Sequence, residues 1–180
     1  MAAILGLDDA KVREGCAAAG GVVEAVNFNG PGQVVIAGEK AAVTRAIEEC
    51  KARGAKRAMP LPVSAPFHSS LLKPAGDRLQ GYLQKVALSA PAVPLVNNVD
   101  VRVEGAPDGI RDALVRQAYS PVRWVEVVRK LVELGATHVV ECGPGKVLAG
   151  LTRRISPDAQ SFALADRKSL EETLACLKAS

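Results

Sequence analysis

The chain has 180 residues, 48% of them hydrophobic and 23% charged, a balance that suits a soluble globular protein with one or two cores. Aromatic residues supply only 3%, so the core has to be built from Ala, Val, Leu and Ile. The net charge is +4, but no Lys/Arg run reaches the clusters of about 5–8 that mark nucleic-acid binding. Nothing approaches the roughly 18 consecutive apolar residues of a membrane span. Nucleic acid and membrane are therefore not expected as partners, and an acidic protein or a phosphate-bearing ligand suits the charge equally well.

From the N-terminus, residues 2–7 read as a strand. Asp8 offers an N-cap for a helix through Ala19, which Gly20-Gly21 closes. Residues 22–28 read as a second strand, and a turn from Asn29 to Gly32 leads into a third, Q-V-V-I-A-G. Val43, Ala46, Ile47 and Cys50 fall at helical spacing, the helix ends at Gly54, and a fourth strand covers Lys56 to Leu61. The order β-α-β-β-α-β is that of a ferredoxin-like unit, expected over residues 1–62.

Residues 63–180 read as further α/β layering, with a parallel sheet. A helix with Leu79, Tyr82, Leu83 and Val86 in phase follows His68, and Pro74 is expected to kink or restart it. A short strand lies around Pro94–Asn97. A helix from Asp108 to Tyr119 is expected to bury Ile110, Ala113 and Leu114, with Gln117 on the same face. Another helix uses Trp124, Val127, Val128 and Leu131. Then come the strand T-H-V-V-E, the loop C-G-P-G-K, a helix through Arg154, a strand around Phe162–Ala165 and a last helix with Leu170, Leu174 and Leu177. There is no internal repeat and no low-complexity tract.

Four cysteines are widely spaced without a C-x-x-C, and two histidines give no zinc spacing, so reduced thiols, a cytoplasmic location and no metal or other cofactor are expected. His68 lies in S-A-P-F-H-S, between a strand and a helix, where Pro62 and Pro66 stiffen the approach. Position alone allows an inert hydrogen-bonded histidine. It also allows a general base, because imidazole both takes and returns a proton near neutral pH. Such a base needs a nucleophile, and the serine elbow G-x-S-x-G does not occur in this sequence. Ser64, Ser69 and Ser70 are too close in sequence to point at the ring. Cys142 before a helix start is a weaker candidate, read first as a small packed residue. Gly143 to Lys146 reads as a tight turn before it reads as a phosphate cradle, since Val147 stands where a phosphate loop needs Ser or Thr. Gln117 on an apolar face calls for a hydrogen-bond partner. Asn97-Asn98 reads equally as turn chemistry or as site lining.

Several long stretches, in order along the chain, resemble the malonyl-CoA:acyl carrier protein transacylase family of fatty-acid biosynthesis. They are N-F-N-G-P-G-Q-V-V-I-A-G, L-P-V-S-A-P-F-H-S-S-L-L-K-P-A, V-P-L-V-N-N-V-D, R-D-A-L-V-R-Q-A-Y-S-P-V-R-W and E-C-G-P-G-K-V-L-A-G-L. The resemblance covers residues 1 to about 155, the tail more loosely. It implies a ferredoxin-like small subdomain and the C-terminal part of an α/β-hydrolase-like large subdomain, with the active site in the cleft between them. It implies that a serine takes malonyl from CoA as an ester and passes it to the phosphopantetheine thiol of acyl carrier protein. His68 matches the catalytic histidine, and Gln117 the residue whose backbone carbonyl orients it. Phe67 beside the base would disfavour a branched malonyl, and with Asn29 and Asn98 it is assigned to substrate binding. Lys51, Arg53, Lys56, Arg57 and Arg116 are candidates to face the acidic carrier.

The family's G-H-S-x-G elbow, its carboxylate-binding arginine and its glutamine near the oxyanion hole lie in a longer N-terminal part. Met1-Ala2-Ala3 matches an internal M-A-A. The expectation is a truncated chain, begun at an internal methionine, that supplies the base, is inactive alone and has a missing N-terminal half as a partner. The alternatives are a non-catalytic ferredoxin-like binding module or a truncated remnant, and, less well supported, a hydrolase using Cys142 or a local serine.

Overall fold

The computed structural model describes residues 1–179. The chain forms two compact units, Met1–Trp124 and Val125–Ser180.

The first unit begins with β1 (Ala2–Leu5), α1 (Asp9–Ala19), β2 (Val23–Gly30), β3 (Gln33–Gly38), α2 (Lys40–Ala52) and β4 (Arg57–Pro60). The strands form one sheet in the order β2-β3-β1-β4, every pair antiparallel. In β3 the side chains alternate between two buried faces. Val34 and Ile36 join Ile4, Val12, Ala46 and Ile47 in the main core, while Val35 and Ala37 pack with Val26 on the opposite face. The Asp8 carboxylate accepts the Lys11 N–H at 3.0 Å, so the sequence-read cap is real. At the other end of α1, Arg45 from α2 donates to the Ala19 and Gly20 carbonyls at 2.5 and 2.8 Å, satisfying acceptors that the helix leaves over. Gly38, where β3 turns into α2, has the Val22 carbonyl oxygen 2.0 Å from the place a Cβ would occupy, so only glycine fits there.

Two boundaries differ from expectation. β1 stops at Leu5, and Leu7 is buried from the loop. β2 runs on through Gly30, so Asn29 lies in the strand and not in the turn; the pairing slips between Phe28 and Gly30, the irregularity that accommodates it.

The rest of the unit holds a short 3₁₀ turn (Ser70–Leu72), α3 (Lys73–Leu83), the hairpin β5 (Leu95–Val96) with β6 (Val103–Glu104), and α4 (Pro107–Gln117). Pro74 opens α3 directly after the 3₁₀ turn, the restart and not the kink of the two expectations, because its missing N–H costs nothing in a first turn. Val86 falls beyond that helix, and Tyr82 is exposed. In α4, Ala113 and Val115 are buried while Leu114 is 36% exposed, so the apolar face is turned from the one expected. Arg111 donates to the Leu83 and Val86 carbonyls and ties the end of α3 to α4.

The second unit contains α5 (Trp124–Glu133), which starts on the last residue of the first unit, then β7 (His138–Cys142), α6 (Val147–Ile155), β8 (Gln160–Leu164) and α7 (Arg167–Ala179). β7 and β8 pair in parallel, as the sequence indicated. Its buried side chains are few and small: Val127, Val128, Ala149, Leu151, Thr152, Ala159, Ser161 and Thr173 among the described residues. Leu170, Leu174 and Leu177, in phase on α7, all remain exposed.

Candidate active site

The loop from Ser64 to Ser69 owes its shape to one carbonyl. The Pro66 oxygen accepts both the Ser69 N–H, at 3.2 Å, and the Ser69 hydroxyl, at 2.7 Å. A turn closed in this way, with positive φ at its third residue, is the type II pattern that normally selects Gly or Asn. Here the third residue is His68, with φ of 64°. The Ser69 side chain is completely buried and anchors the turn. A residue with a large side chain in the left-handed region costs about 1 kcal/mol or more.

The ring meets α4. His68 Nδ1 lies 2.8 Å from the backbone oxygen of Gln117. A carbonyl only accepts, so Nδ1 carries a proton, and in the neutral ring Nε2 is then the acceptor. Gln117 is the last residue of α4, where carbonyls lack intrahelical partners. Ala118 and Tyr119 turn their N–H groups back to Val115 and Arg116, which leaves the Gln117 oxygen to the imidazole. The backbone of Gln117, and not the amide that made it conspicuous in the sequence, is thus the group that meets the ring.

The last turn of α4 is held by Arg116, which pairs with Asp100 at 3.2 Å and with Asp112 at 2.6 Å. Burial pushes the Asp100 carboxyl up, but the hydrogen bond from Asn97 and the charge of Arg116 outweigh it and hold the group below its ordinary range. Asn97, 1% exposed, organises the β5–β6 connection: its Oδ1 accepts the Val99 and Asp100 N–H groups, each at 3.0 Å, and its Nδ2 donates to Glu104. It is turn chemistry. Asn98 differs, because its Oδ1 is buried without a hydrogen-bond partner while its backbone carbonyl accepts from Arg123 at 3.1 Å.

The structure thus joins His68 to Gln117. Among the described residues, it brings neither Asn29 nor Asn98 into a hydrogen bond with that pair. Asn29 is half-buried near the end of β2, and Phe67, beside His68, is 42% exposed. Of the candidate carrier-facing cations, Lys51 is paired with Glu48, Arg53 with Glu49, and Arg116 as described. Cys142 is exposed, against the reading of it as a packed residue. Cys16 lies at the other extreme, its thiol pushed up to about 12 by burial first and by neighbouring Cys50 and Glu24 next. At the G-P-G-K loop, Glu141 Oε2 accepts the Ala149 N–H at 2.8 Å, so the first turn of α6 already has an anion supplied by the chain. That arrangement favours the tight-turn reading over a phosphate cradle. What sequence reasoning missed is the left-handed backbone of His68 and the role of Arg116. The first was signalled only by the two prolines before the histidine.

The model of the family described as "Acyl transferase domain" matches residues 1–166. Malonyl CoA-acyl carrier protein transacylase of Escherichia coli is 55% identical over 176 residues, 97% of this chain and 57% of that protein. The crystal structure of acyl-carrier-protein S-malonyltransferase from Burkholderia pseudomallei superposes with a TM-score of 0.94 at 61% identity, covering 97% of this chain and 57% of the other. A structure of a type II PKS acyl-carrier protein in complex with its malonyl-transacylase gives 0.94 at 49% identity, with the same coverage. The chain therefore spans a little over half the length of the relatives it matches. Its match along nearly all of its own length, with His68 and Gln117 inside the matched span, makes it a member of the acyl transferase domain family.

Proposed function

We propose that this chain carries the general-base part of a malonyl-CoA:acyl carrier protein transacylase of fatty-acid biosynthesis. A serine hydroxyl on a polypeptide segment outside this sequence is the nucleophile. His68 Nε2 takes the hydroxyl proton as the oxygen attacks the malonyl thioester, and returns it to the departing CoA sulfur. In the second half-reaction Nε2 takes the proton of the phosphopantetheine thiol of acyl carrier protein as the sulfur attacks the malonyl ester. The proton then goes to the serine oxygen as that bond breaks. Throughout, the Gln117 carbonyl holds Nδ1–H and keeps the ring in one tautomer, the task that a carboxylate performs in a serine triad. Phe67 lies next to the base and restricts branching at the malonyl carbon, and Asn29 and Asn98 contribute to substrate binding. The unpartnered Asn98 Oδ1 supports that assignment. The acyl carrier protein is the proposed acceptor, in line with the carrier complex named for one structural relative.

We read residues 1–62 as the ferredoxin-like small subdomain, on the strength of the β-α-β-β-α-β order and the β2-β3-β1-β4 sheet, and residues 63–180 as the C-terminal part of the α/β-hydrolase-like large subdomain. The observation that carries the functional reading is the 2.8 Å contact between a left-handed histidine and a helix-terminal carbonyl. The test is complementation. The chain is mixed with a separately made polypeptide bearing the G-H-S-x-G elbow, and malonyl transfer from CoA to acyl carrier protein is followed. Transfer is expected in the mixture and absent from this chain alone, and His68→Ala should lower it by about 10²–10⁴-fold. Association without transfer, or no association, would leave only a binding module.

A further inference from the structure

β2 is an edge strand, yet its outer side is not bare. Val122 bridges to it in parallel at Asn27, donating its N–H to the Val26 carbonyl at 2.8 Å and accepting the Phe28 N–H at 2.9 Å. Val122 lies on the segment that leaves α4 after Gln117. Near the start of the same strand, Glu24 Oε2 accepts the backbone N–H of Ser70 at 2.8 Å, from 46 residues away. Ser70 opens the 3₁₀ turn directly after the histidine loop. One strand thus grips both the segment that presents the imidazole and the segment that presents its carbonyl.

We propose that Glu24 is a positioning residue for His68, a latch that fixes the base against the Gln117 carbonyl. The inference rests on the reading of His68 as the general base. The bonds from Ser69 to Pro66 are internal to the loop and travel with it, so they define its shape but not its place. Ser70 is the first residue of a helical turn, and its N–H has no partner within that turn. A carboxylate supplies a strong one, because a charged acceptor roughly doubles the strength of such a bond. Glu24 is therefore the hydrogen-bonded tie that runs from the loop to the sheet. Held there, the left-handed backbone of His68 keeps Nδ1 within reach of Gln117; released, the loop can relax to φ values that carry the ring away.

Ring-nitrogen NMR of the whole chain tests this, with His138 as internal standard. The parent should show a wide separation between the two nitrogen resonances of His68, the signature of a single Nδ1–H tautomer. Glu24→Ala should narrow that separation as the tautomers mix, with the His138 signals unmoved. Glu24→Gln retains an oxygen acceptor and should restore the parent pattern. Ser70→Pro removes the donor at a first-turn position that tolerates proline, after a residue already extended at φ −93° and ψ 163°. It should reproduce Glu24→Ala, and the double variant should show no further change. A parent pattern unchanged in folded Glu24→Ala or, should that variant fail to fold, in Ser70→Pro would overturn the latch alone. A parent that already shows mixed tautomers would overturn the reading of His68 as a held base, and the latch with it.

Discussion

His68 has a backbone that suits glycine and a side chain that glycine lacks. The conflict has a measurable consequence. Alanine normally stabilises relative to glycine, but at this φ the order should invert. His68→Gly is expected to be more stable than His68→Ala by about 1 kcal/mol in urea denaturation, although both lose the imidazole. A second consequence concerns acid. Asp100 is held below its ordinary 3.8 in the folded chain, so its stabilising contribution is complete above that pH and is lost as the pH falls through the lower folded value. Melting temperature should therefore fall more steeply with acidification below 3.8 in the parent than in Asp100→Asn. The loss should appear first at the last turn of α4, where Asp100 holds Arg116.

Among the elements, the first third of the chain was legible because its signals are local. The Asp8 cap, the Val43-Ala46-Ile47-Cys50 stripe and the Gly20 stop after α1 each act within a few residues, and each is found where the pattern placed it. The errors arose where tertiary contacts decide. Leu114 and Val115 are adjacent and both apolar, so periodicity cannot say which one α4 turns inward. β6 is two residues long and exists only as the partner of β5. Periodicity alone singled out Gln117 as an amide, because a sequence displays side chains; its backbone carbonyl was expected only from the family resemblance, and that carbonyl is the atom that meets the ring. The close approach at Gly38 likewise leaves no sequence trace beyond the glycine. Gly38→Ala should push β3 off Val22 and cost about 1–3 kcal/mol, read as a lowered urea midpoint with an unchanged slope.

For the whole molecule the governing fact is exposed apolar surface in both units. The first unit encloses aliphatic side chains on both faces of its sheet yet leaves Tyr82 64% and Val93 71% exposed, and the second leaves Val147 69% exposed along with Leu148 and the leucines of α7. A two-stranded parallel sheet over so small a core is weak by itself. The chain alone should therefore bind a hydrophobic dye strongly, and the fluorescence should drop when the elbow-bearing polypeptide is added. Unchanged fluorescence in a mixture that transfers malonyl would show that the exposed leucines are not covered by that partner. The Glu141 carboxylate at the head of α6 has its own implication for charge across the protein. With that berth taken by an internal tenant, the first turn of α6 offers little welcome to a second anion, and a phosphate-bearing ligand would have to be met by basic side chains at another place.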